Sequence, residues 1–295
     1  MAPGGARYIL SPRLLWMAVT VAIINWNSGP LLCGCIESVL ETAPRSEIVV
    51  VDNGSEDESL ESASRYRAQA HFVRNSVNRG FAGAVNQAFE ATSTAYVLIL
   101  NPDVQATPGA IDYLEQLMDS RREAGAAGGR LDEGYPPRRL PTTATLVRQN
   151  LGLGVGRMPG SGVEPREVEQ PAGAALMIRR DAYDNVGCFD EQFYPAWYED
   201  VDFCRRLRTA GWKVLFAPRA WFRHQGGYSA QVMGPSAFLS AYYRNQFRYV
   251  RKHLGPAADI AVRSSVAAGM IGRMAARPAE ARAYWNVLRG ALLEW

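Results

Sequence analysis

Two polar residues, Asn101 and Asp103, with Pro102 between them, directly follow 96–100, an apolar run with the composition of a buried strand. The Asp103 carboxylate is a hard oxygen ligand for Mg²⁺ or Mn²⁺, ions that commonly bind one or two carboxylates together with phosphate oxygens. Pro102 holds the backbone between the two polar side chains rigid. The alternative is that Asp103 is an ordinary turn residue ahead of a helix.

A second cluster combines two aromatic residues with three carboxylates: Trp197, Tyr198, Glu199, Asp200 and Asp202. Acidic side chains at a helix start offset the helix dipole, which explains one or two of the carboxylates. It does not explain the aromatic pair, which could form a platform for a sugar or another flat apolar face. A carboxylate in this position could act as a general base.

A third candidate is His224, which ends a predicted strand and stands two residues before Gly226 and Gly227. A lone histidine is usually structural. The paired glycines, however, permit the backbone to approach a ligand closely. His224 is therefore also a candidate for contact with a metal or a phosphate.

The elements that must position these residues alternate between strand and helix over the first hundred residues. Apolar and β-branched runs predict strands at 19–25, 47–51, 71–74 and 95–100. Helices are predicted between them at 28–42, 55–69 and 81–91, the second one opened by a capping box of Ser55 and Glu58. Repeated βαβ units imply a mostly parallel sheet with right-handed crossovers.

Ligands of parallel α/β sheets bind beyond the carboxyl ends of the strands. Three predicted strands end in polar tips, namely Asn25-Trp26-Asn27, Asp52-Asn53-Gly54-Ser55 and Asn101-Pro102-Asp103. Turn chemistry explains each tip singly. Together they predict one polar edge of the sheet.

From Gly125 the pattern changes, and 125–162, which is rich in Gly, Pro and Arg, predicts a long surface loop or flap. Beyond it, strands are predicted at 174–179, 213–217 and 221–224, and helices after Asp181, at 200–210 and from 236 onward. The predicted organisation is a tail (1–18), two halves of one domain (19–125 and 126–230) and a helical extension (231–295).

The bulk composition excludes some classes of protein. Hydrophobic residues make up 47% and charged residues 21% of the chain, which excludes wholesale disorder, and a net charge of +3 is too small to indicate binding to nucleic acid. The four cysteines show no metal-site spacing and are predicted to be small buried residues in a reducing compartment. The apolar run 14–24 is too short to cross a bilayer. The predicted location is the cytoplasm, with the inner face of a membrane left open.

Six motifs, in this order, resemble glycosyltransferase family 2 and in particular its rhamnosyltransferase-like branch. They are VVVDNGSED, NRGFAGAVN, LILNPDV, GAALMIRRDAYDNVGCFDE, YEDVDFCRRLRTAGWKV and HQGGYS, and the resemblance covers about 19–229. It implies an α/β protein with the GT-A fold, a mostly parallel central sheet flanked by helices, here with a helical C-terminal extension. It also implies an inverting transfer of a sugar from a nucleoside-diphosphate donor.

The resemblance implies roles for residues on the donor side. Asp52 would hydrogen-bond the uracil or thymine base, and Trp26 would line the base pocket. Arg79 and Gly80 would lie where the chain comes close to the nucleotide.

The same resemblance places Asn101-Pro102-Asp103 at the Asp-x-Asp motif of the family. Asp103 would bind Mg²⁺ or Mn²⁺ on the diphosphate, with His224 close to that metal. Gly173 and Ala174 would border the donor sugar. Asn101 replaces the first acid of the motif, which removes one negative charge and leaves a metal-independent reaction open.

On the acceptor side, Asp200 matches the catalytic base, which would take a proton from an acceptor hydroxyl as that oxygen attacks the anomeric carbon. Glu199 and Asp202 would orient the acceptor or shape the site. Trp197 and Tyr198 would contact the acceptor. A single displacement inverts the anomeric centre and needs no covalent enzyme intermediate.

By resemblance the favoured donor is dTDP-rhamnose, with UDP-linked hexoses left open, and the acceptor is a glycan or a lipid-linked sugar. The helix from 236 to 255 carries a basic stripe, formed by Arg244, Arg248, Arg251 and Lys252. This stripe is either the solvated face of a packed helix or a surface that rests on anionic lipid at the membrane. The last forty residues, with Trp285 and Trp295, could extend that surface or form a homodimer contact.

Two other functions stay open. A non-catalytic sugar-nucleotide-binding scaffold in a glycan-assembly complex would share the fold, although the adjacent Glu199 and Asp200 argue for catalysis. A dinucleotide-dependent oxidoreductase needs a glycine-rich turn after the first strand. This chain has Asn25-Trp26-Asn27-Ser28 there.

Overall fold

The structure, a computed structural model, describes residues 19–132, 135–154 and 162–295. The predicted tail, 1–18, lies outside the described residues. The strands are β1 (Val19–Asn25), β2 (Glu47–Asp52), β3 (His71–Arg74), β4 (Tyr96–Leu100), β5 (Val104–Ala106), β6 (Ala124–Arg130), β7 (Arg166–Glu167), β8 (Ala175–Arg179) and β9 (Lys213–His224). The helices are α1 (Leu31–Thr42), α2 (Ser59–Ser62), α3 (Gly80–Glu90), α4 (Ala110–Ser120), α5 (Thr143–Asn150), α6 (Arg180–Val186), α7 (Glu199–Thr209), α8 (Tyr228–Met233), α9 (Pro235–His253), α10 (Pro256–Ala276) and α11 (Ala281–Arg289).

The described strands form one sheet in the order β3-β2-β1-β4-β8-β6-β9-β5, with β7 paired to β9. The first four strands of this order run parallel, as the repeated βαβ pattern predicts. β8 runs antiparallel to both β4 and β6, while β9 is parallel to β6 and antiparallel to β5. The sheet is therefore parallel in its N-terminal half and mixed as a whole.

Helices cover both faces of the sheet, because the central strands are apolar on both sides. Val21 and Ile23 of β1 belong to a core shared with α1 and α4, whereas Ala22 and Ile24 belong to the opposite core with α3 and α7. Every residue of β1 and β4 is buried. Two-sided burial is typical of parallel strands, and it fixes the position of the polar tips that follow.

The C-terminal helices have an apolar core of their own. Phe247 of α9, Val262 and Val266 of α10 and Val287 of α11 are fully buried in it. Leu146 of α5 joins the same core, so the helical extension packs onto the segment that follows β6.

The segment 125–162 differs from the predicted surface loop. It contributes most of the buried strand β6 and the helix α5, which begins with a capping box of Thr142 and Thr145. β6 is rich in glycine because larger side chains do not fit: a Cβ at Gly129 would stand 2.4 Å from the ring of Phe222. The predicted flap was wrong for these two elements, and residues 155–161 lie outside the described ones.

The predicted capping box of Ser55 and Glu58 was also wrong. α2 begins only at Ser59, without a side-chain cap. The Ser55 hydroxyl instead accepts hydrogen bonds from the Asn25 side chain and the Asn27 amide. Ser55 therefore joins two strand tips rather than starting a helix.

Two smaller differences concern β9 and the cysteines. The strands predicted at 213–217 and 221–224 form one continuous strand. Cys33, Cys35 and Cys204 are buried as predicted, but Cys188 is exposed. No helix among the described residues has the length and hydrophobicity of a membrane span.

Candidate active site

The predicted polar tips meet at the carboxyl ends of the parallel strands. Asn25 and Asp52 are register partners in β1 and β2, and Asn25 Nδ2 donates to Asp52 Oδ1 over 2.8 Å. Asp52 is fully buried, and its second oxygen accepts the Ser55 amide at 3.3 Å. The buried Asp52 carboxylate thus links the polar tips of β1 and β2. The neighbouring Asn53 lines the open cleft.

Asn53 connects the tip of β2 to the start of α3. Its Nδ2 atom donates to Asn78 Oδ1 at 2.8 Å and to the Gly80 carbonyl at 3.0 Å, and its Oδ1 accepts the Arg79 amide at 2.9 Å. The Arg79 guanidinium lies 3.8 Å from Glu191 at an exposed position. Neither Arg79 nor Gly80 is among the residues that line the cleft, whereas the adjacent Asn78 and Phe81 are.

The pairing of β5 with β9 brings Asp103 and His224 together. His224 is the register partner of Val104, and the Asp103 carbonyl accepts the Gln225 amide at 3.1 Å. His224 Nε2 lies 3.4 Å from Asp103 Oδ2, with only 5% and 8% of the two side chains exposed. Asp132 accepts the His224 amide at 2.8 Å and so anchors the strand end.

Two buried polar atoms at this site have no hydrogen-bond partner among the described residues, namely Asn101 Oδ1 and His224 Nδ1. A buried polar atom without a partner is costly, so its presence needs an explanation such as a ligand. A carboxylate, an amide oxygen and an imidazole form a donor set that suits a divalent cation, especially one whose remaining ligands are phosphates and water. The described residues hold no group of three or more His, Cys, Asp or Glu that could bind a metal alone.

Asp200, the second residue of α7, lies on the same cleft as Asp103. Its Oδ1 atom accepts the Val201 amide at 2.8 Å, and its Oδ2 atom accepts Gln170 Nε2 at 3.1 Å. Burial raises the pKa of Asp200, and the hydrogen bonds from Val201 and Gln170, with the charge of Arg138, only partly offset this rise. A carboxylate with a raised pKa is a stronger proton acceptor when it is ionised.

Glu199 is buried beside Asp200, and its Oε2 atom has no hydrogen-bond partner among the described residues. Burial raises the pKa of Glu199 well above its usual value, and the negative charge of Asp200 adds to the rise. Two neighbouring buried carboxyls resist double ionisation. The geometry therefore favours a protonated Glu199 next to an ionised Asp200.

The predicted aromatic pair precedes these acids and lines the same cleft. Trp197 is half-buried and meets Phe238 of α9 edge-on, with ring centroids 4.7 Å apart. Tyr198 is only 5% exposed, and its hydroxyl accepts Gln246 Nε2 at 3.0 Å. Trp197 is thus the more accessible of the two rings, whereas Tyr198 mainly supports the wall.

Asp202 does not lie where an acceptor could reach it, so the role assigned to it from the resemblance needs correction. It is fully buried on the inner side of α7, where it accepts Arg206 Nε at 2.8 Å, His253 Nε2 at 2.7 Å and Lys252 Nζ at 2.8 Å. Burial opposes ionisation, but the hydrogen bonds from His253 and Lys252 and the charge of Arg206 outweigh it and lower the pKa of Asp202 to about 2. Asp202 ties α7 to α9.

Residues of the basic stripe of α9 also make contacts within the protein. Arg244 donates to the Tyr194 carbonyl at 2.8 Å, Arg248 donates to the Gln192 carbonyl, and Lys252 binds Asp190 and Asp202. These contacts favour the packed-helix alternative over a free lipid-binding stripe.

One cleft of ≈ 1090 Å³ joins both groups of candidate residues. Trp26, Asn53, Asn101 and Asp103 line one part of it, and Glu199 and Asp200 line another. Gly173 and Ala174 also line the cleft, and the Ala174 carbonyl accepts the Asn101 amide at 3.1 Å.

Several lining residues were not singled out from the sequence. They include Gln170, which holds Asp200, and the exposed Arg138 and Arg139 in the segment between β6 and α5. The backbone of Arg138 pairs with that of Gln170. The spacing of these residues in the sequence does not indicate that they come together at the cleft. Two adjacent arginines in a segment without predicted structure are nevertheless a usable signal.

Comparison with known proteins agrees with the fold and identifies the family. Glycosyl transferase family 2 matches residues 20–187 of the chain. The N-acetylglucosaminyl-diphospho-decaprenol L-rhamnosyltransferase of Mycobacterium tuberculosis is 28% identical over 265 residues, which span 80% of this chain and 85% of that enzyme.

Solved structures show the same architecture. GalNAc-T7 with UDP, GalNAc and Mn²⁺ superposes with a TM-score of 0.60 at 19% identity, over 80% of this chain but 48% of its own length. The mannosyltransferase PcManGT from Pyrobaculum calidifontis, in complex with GDP-Man and Mn²⁺, superposes with a TM-score of 0.56 at 16% identity, over 94% and 85% of the two chains. The predicted GT-A fold is thereby confirmed. The chain is a glycosyltransferase and belongs to glycosyl transferase family 2.

Proposed function

We propose that this glycosyltransferase inverts the anomeric centre as it moves a sugar from a nucleoside diphosphate to an acceptor hydroxyl, with Asp200 as the general base. The observation that carries the proposal is that Asp103 and Asp200, 97 positions apart in the sequence, line a single cleft. The diphosphate would lie at Asp103 and the acceptor hydroxyl at Asp200. The donor sugar would then lie between them, beside Gly173 and Ala174.

In the proposed reaction the protein itself supplies orientation and the proton acceptor. Gln170 and the Val201 amide hold the Asp200 carboxylate in one orientation. The carboxylate takes the acceptor proton as the hydroxyl oxygen attacks the anomeric carbon, and the bond from that carbon to the diphosphate breaks. Glu199 keeps its proton nearby, which leaves the negative charge on Asp200.

Asp103 and His224 would hold a divalent cation, Mg²⁺ or Mn²⁺, together with the amide oxygen of Asn101. The unpaired Asn101 Oδ1 and the small number of protein ligands support this, because both leave room for phosphate oxygens and water. When bound, such a cation offsets the negative charge that develops on the leaving diphosphate. Both superposed enzymes named above have Mn²⁺ bound.

The proposed donor is dTDP-rhamnose. Its support is the similarity to a rhamnosyltransferase over most of both chains. Trp26, half-buried at the end of β1, lines the cleft and could stack on a pyrimidine base.

The proposed acceptor is a sugar linked to a lipid through a diphosphate, the class named for the relative from Mycobacterium tuberculosis. Arg138 and Arg139 are exposed, line the cleft and form no ion pair with another described residue. Guanidinium groups suit phosphate oxygens. Trp197, Met233 and Ala237 also line the cleft, and their side chains suit an apolar chain.

A panel of nucleotide sugars tests this function without knowledge of the acceptor. The full chain is incubated with dTDP-rhamnose, UDP-galactose, UDP-N-acetylglucosamine or GDP-mannose, with Mg²⁺, Mn²⁺ or a chelator, and release of the nucleoside diphosphate is measured. We expect release from dTDP-rhamnose above the others and its loss with the chelator. Release that is confined to another sugar nucleotide contradicts the proposed donor, and undiminished release with the chelator contradicts the metal.

A further inference from the structure

Two consecutive non-glycine residues adopt the left-handed backbone conformation shortly before Asp200, the proposed base. Trp197 has φ of 73° and Tyr198 has φ of 76°, and α7 begins at the next residue. This conformation is strained for residues with a Cβ and persists only where the surroundings enforce it. The turn therefore sets the direction in which α7, with Glu199 and Asp200 in its first turn, continues from the loop.

The enforcing contact comes from Asn245 in the C-terminal extension. Asn245 is fully buried, and its Nδ2 atom lies 2.8 Å from the Ala196 carbonyl, 3.1 Å from the Trp197 carbonyl and 3.3 Å from the Tyr194 carbonyl. One side-chain amide group thus donates hydrogen bonds to three carbonyls of the same loop. Its Oδ1 atom accepts Arg248 Nη1 at 3.3 Å, which fixes the orientation of the amide.

Neighbouring residues of α9 hold the second left-handed residue. Gln246, also fully buried, donates to the Tyr198 hydroxyl at 3.0 Å. The Tyr198 ring packs against Tyr242 and Tyr249, with centroids 5.4 and 5.6 Å away. The contacts of α9 therefore cover both strained residues.

We propose that Asn245 is a positioning residue for the transfer reaction: it holds the 194–198 loop in the strained turn that aims the Asp200 carboxylate into the cleft. The inference rests on the proposed role of Asp200. It makes the helical extension part of the working active site, although no residue of α9 has to touch the reacting atoms.

Amide hydrogen exchange of the full chain tests the hold on the loop independently of any substrate. Asn245→Asp keeps the acceptor for Arg248 but removes the donor to the three carbonyls. Asn245→Ser adds no buried charge, and its single, shorter hydroxyl cannot donate to all three carbonyls. We expect exchange at 196–200 to rise about tenfold or more in either variant, with β1 and β4 unchanged. If Asn245→Asp does not fold, the exchange measured for Asn245→Ser decides the test. Unchanged exchange at 196–200 in a folded variant overturns the inference.

Kinetics then test the effect on the reaction. With dTDP-rhamnose as the probe, we expect kcat to fall about 10- to 100-fold while the donor KM stays within about twofold, because a displacement of about 1 Å at a catalytic group has this effect. Asn286→Asp is the control, since Asn286 Nδ2 donates to Ser236 at 3.0 Å between α11 and α9 and not to a carbonyl of the 194–198 loop. An equal loss of kcat in this control, or full kcat in the Asn245 variants, overturns the inference.

Asp200→Asn, measured in parallel, separates the two proposals. If Asp200→Asn is inactive and the Asn245 variants keep full kcat, the positioning role fails and the proposed base stands. If Asp200→Asn keeps full activity, the proposed base fails, and increased exchange at 196–200 shows only that Asn245 holds the loop.

Discussion

Gly173 leaves no room for a side chain beside Asp200: a Cβ at Gly173 would stand 2.8 Å from the Oδ2 atom of Asp200. The backbone of Gly173 is not in the left-handed region, so a side chain here meets a steric limit and no backbone strain. The limit is set by the carboxylate that we propose as the general base.

We therefore expect Gly173→Ala to lower kcat by about 10- to 100-fold, because the methyl group displaces the carboxylate. Nucleoside-diphosphate release from dTDP-rhamnose measures the effect. Gly272→Ala is the matched control, since a Cβ at Gly272 of α10 meets nothing within 4 Å and its φ is unexceptional. Equal activities of the two variants would contradict the proposed geometry.

Asp200→Asn removes the proton acceptor and leaves the shape of the residue unchanged. We expect kcat to fall about 10²- to 10⁴-fold, the usual contribution of a general base. Donor affinity, measured by calorimetry with dTDP, should change little, because the diphosphate is proposed to lie at Asp103. Full turnover in a folded Asp200→Asn protein would refute the assignment.

Glu199→Gln should stabilise the protein. The folded state raises the pKa of Glu199 above its ordinary value of 4.5, so the unfolded chain releases this proton first and stability falls as pH rises above 4.5. A glutamine at this position has no proton to lose, and we therefore expect the free energy of unfolding of the variant at pH 7 to exceed that of the unchanged protein. Urea unfolding at pH 4 and pH 7 provides the measurement. A variant that is equally destabilised at both pH values would speak against this picture.

Asp202→Asn should have the opposite effect. Because the folded state lowers the pKa of Asp202 from 3.8 to about 2, its ionised form adds stability that is present above pH 3.8 and disappears as pH falls toward 2. The shift corresponds to about 2 kcal/mol. We expect Asp202→Asn to lower the free energy of unfolding at pH 7 by at least this amount, and the difference from the unchanged protein to shrink near pH 2. A constant difference across this pH range would contradict the ion-pair explanation.

Arg139→Gln tests the proposed acceptor class. If Arg139 contacts an acceptor diphosphate, kcat/KM for a diphosphate-linked N-acetylglucosamine lipid should fall about tenfold, the effect of a contact worth about 1.4 kcal/mol. Transfer to an alkyl N-acetylglucosaminide without phosphate should not change. Arg122→Gln, an exposed arginine in the turn before β6, serves as the control. Equal losses with both acceptors would point to the donor diphosphate instead.

The parallel half of the sheet was predictable because its signals are local. β1 and β3 occur at the predicted residues. In β1 five of the seven residues are β-branched, which favours a strand. The convergence of Asn25, Asp52 and Asn101 followed from a general rule about the carboxyl ends of parallel strands.

The remainder depends on contacts between distant residues. β6 has a glycine- and alanine-rich sequence because the ring of Phe222, more than ninety residues away, occupies the space beside Gly129. Asp202 looked like a site residue because it shares a helix turn with Asp200. Its partners Lys252 and His253 come from α9, and no local pattern shows that they pair with it.

The strand β9 pairs with β6 at its start and with β5 at its end. It therefore belongs at once to the half that holds the metal-site residues and to the half that holds Asp200. A chimera joined near residue 125 to the other half of a relative would pair β4 and β5 with that relative's counterparts of β8 and β9. The side chains that meet along these two strand pairs would no longer be matched, so we expect an exchange of halves at that point to disturb the Asp103 side of the cleft as well as the Asp200 side.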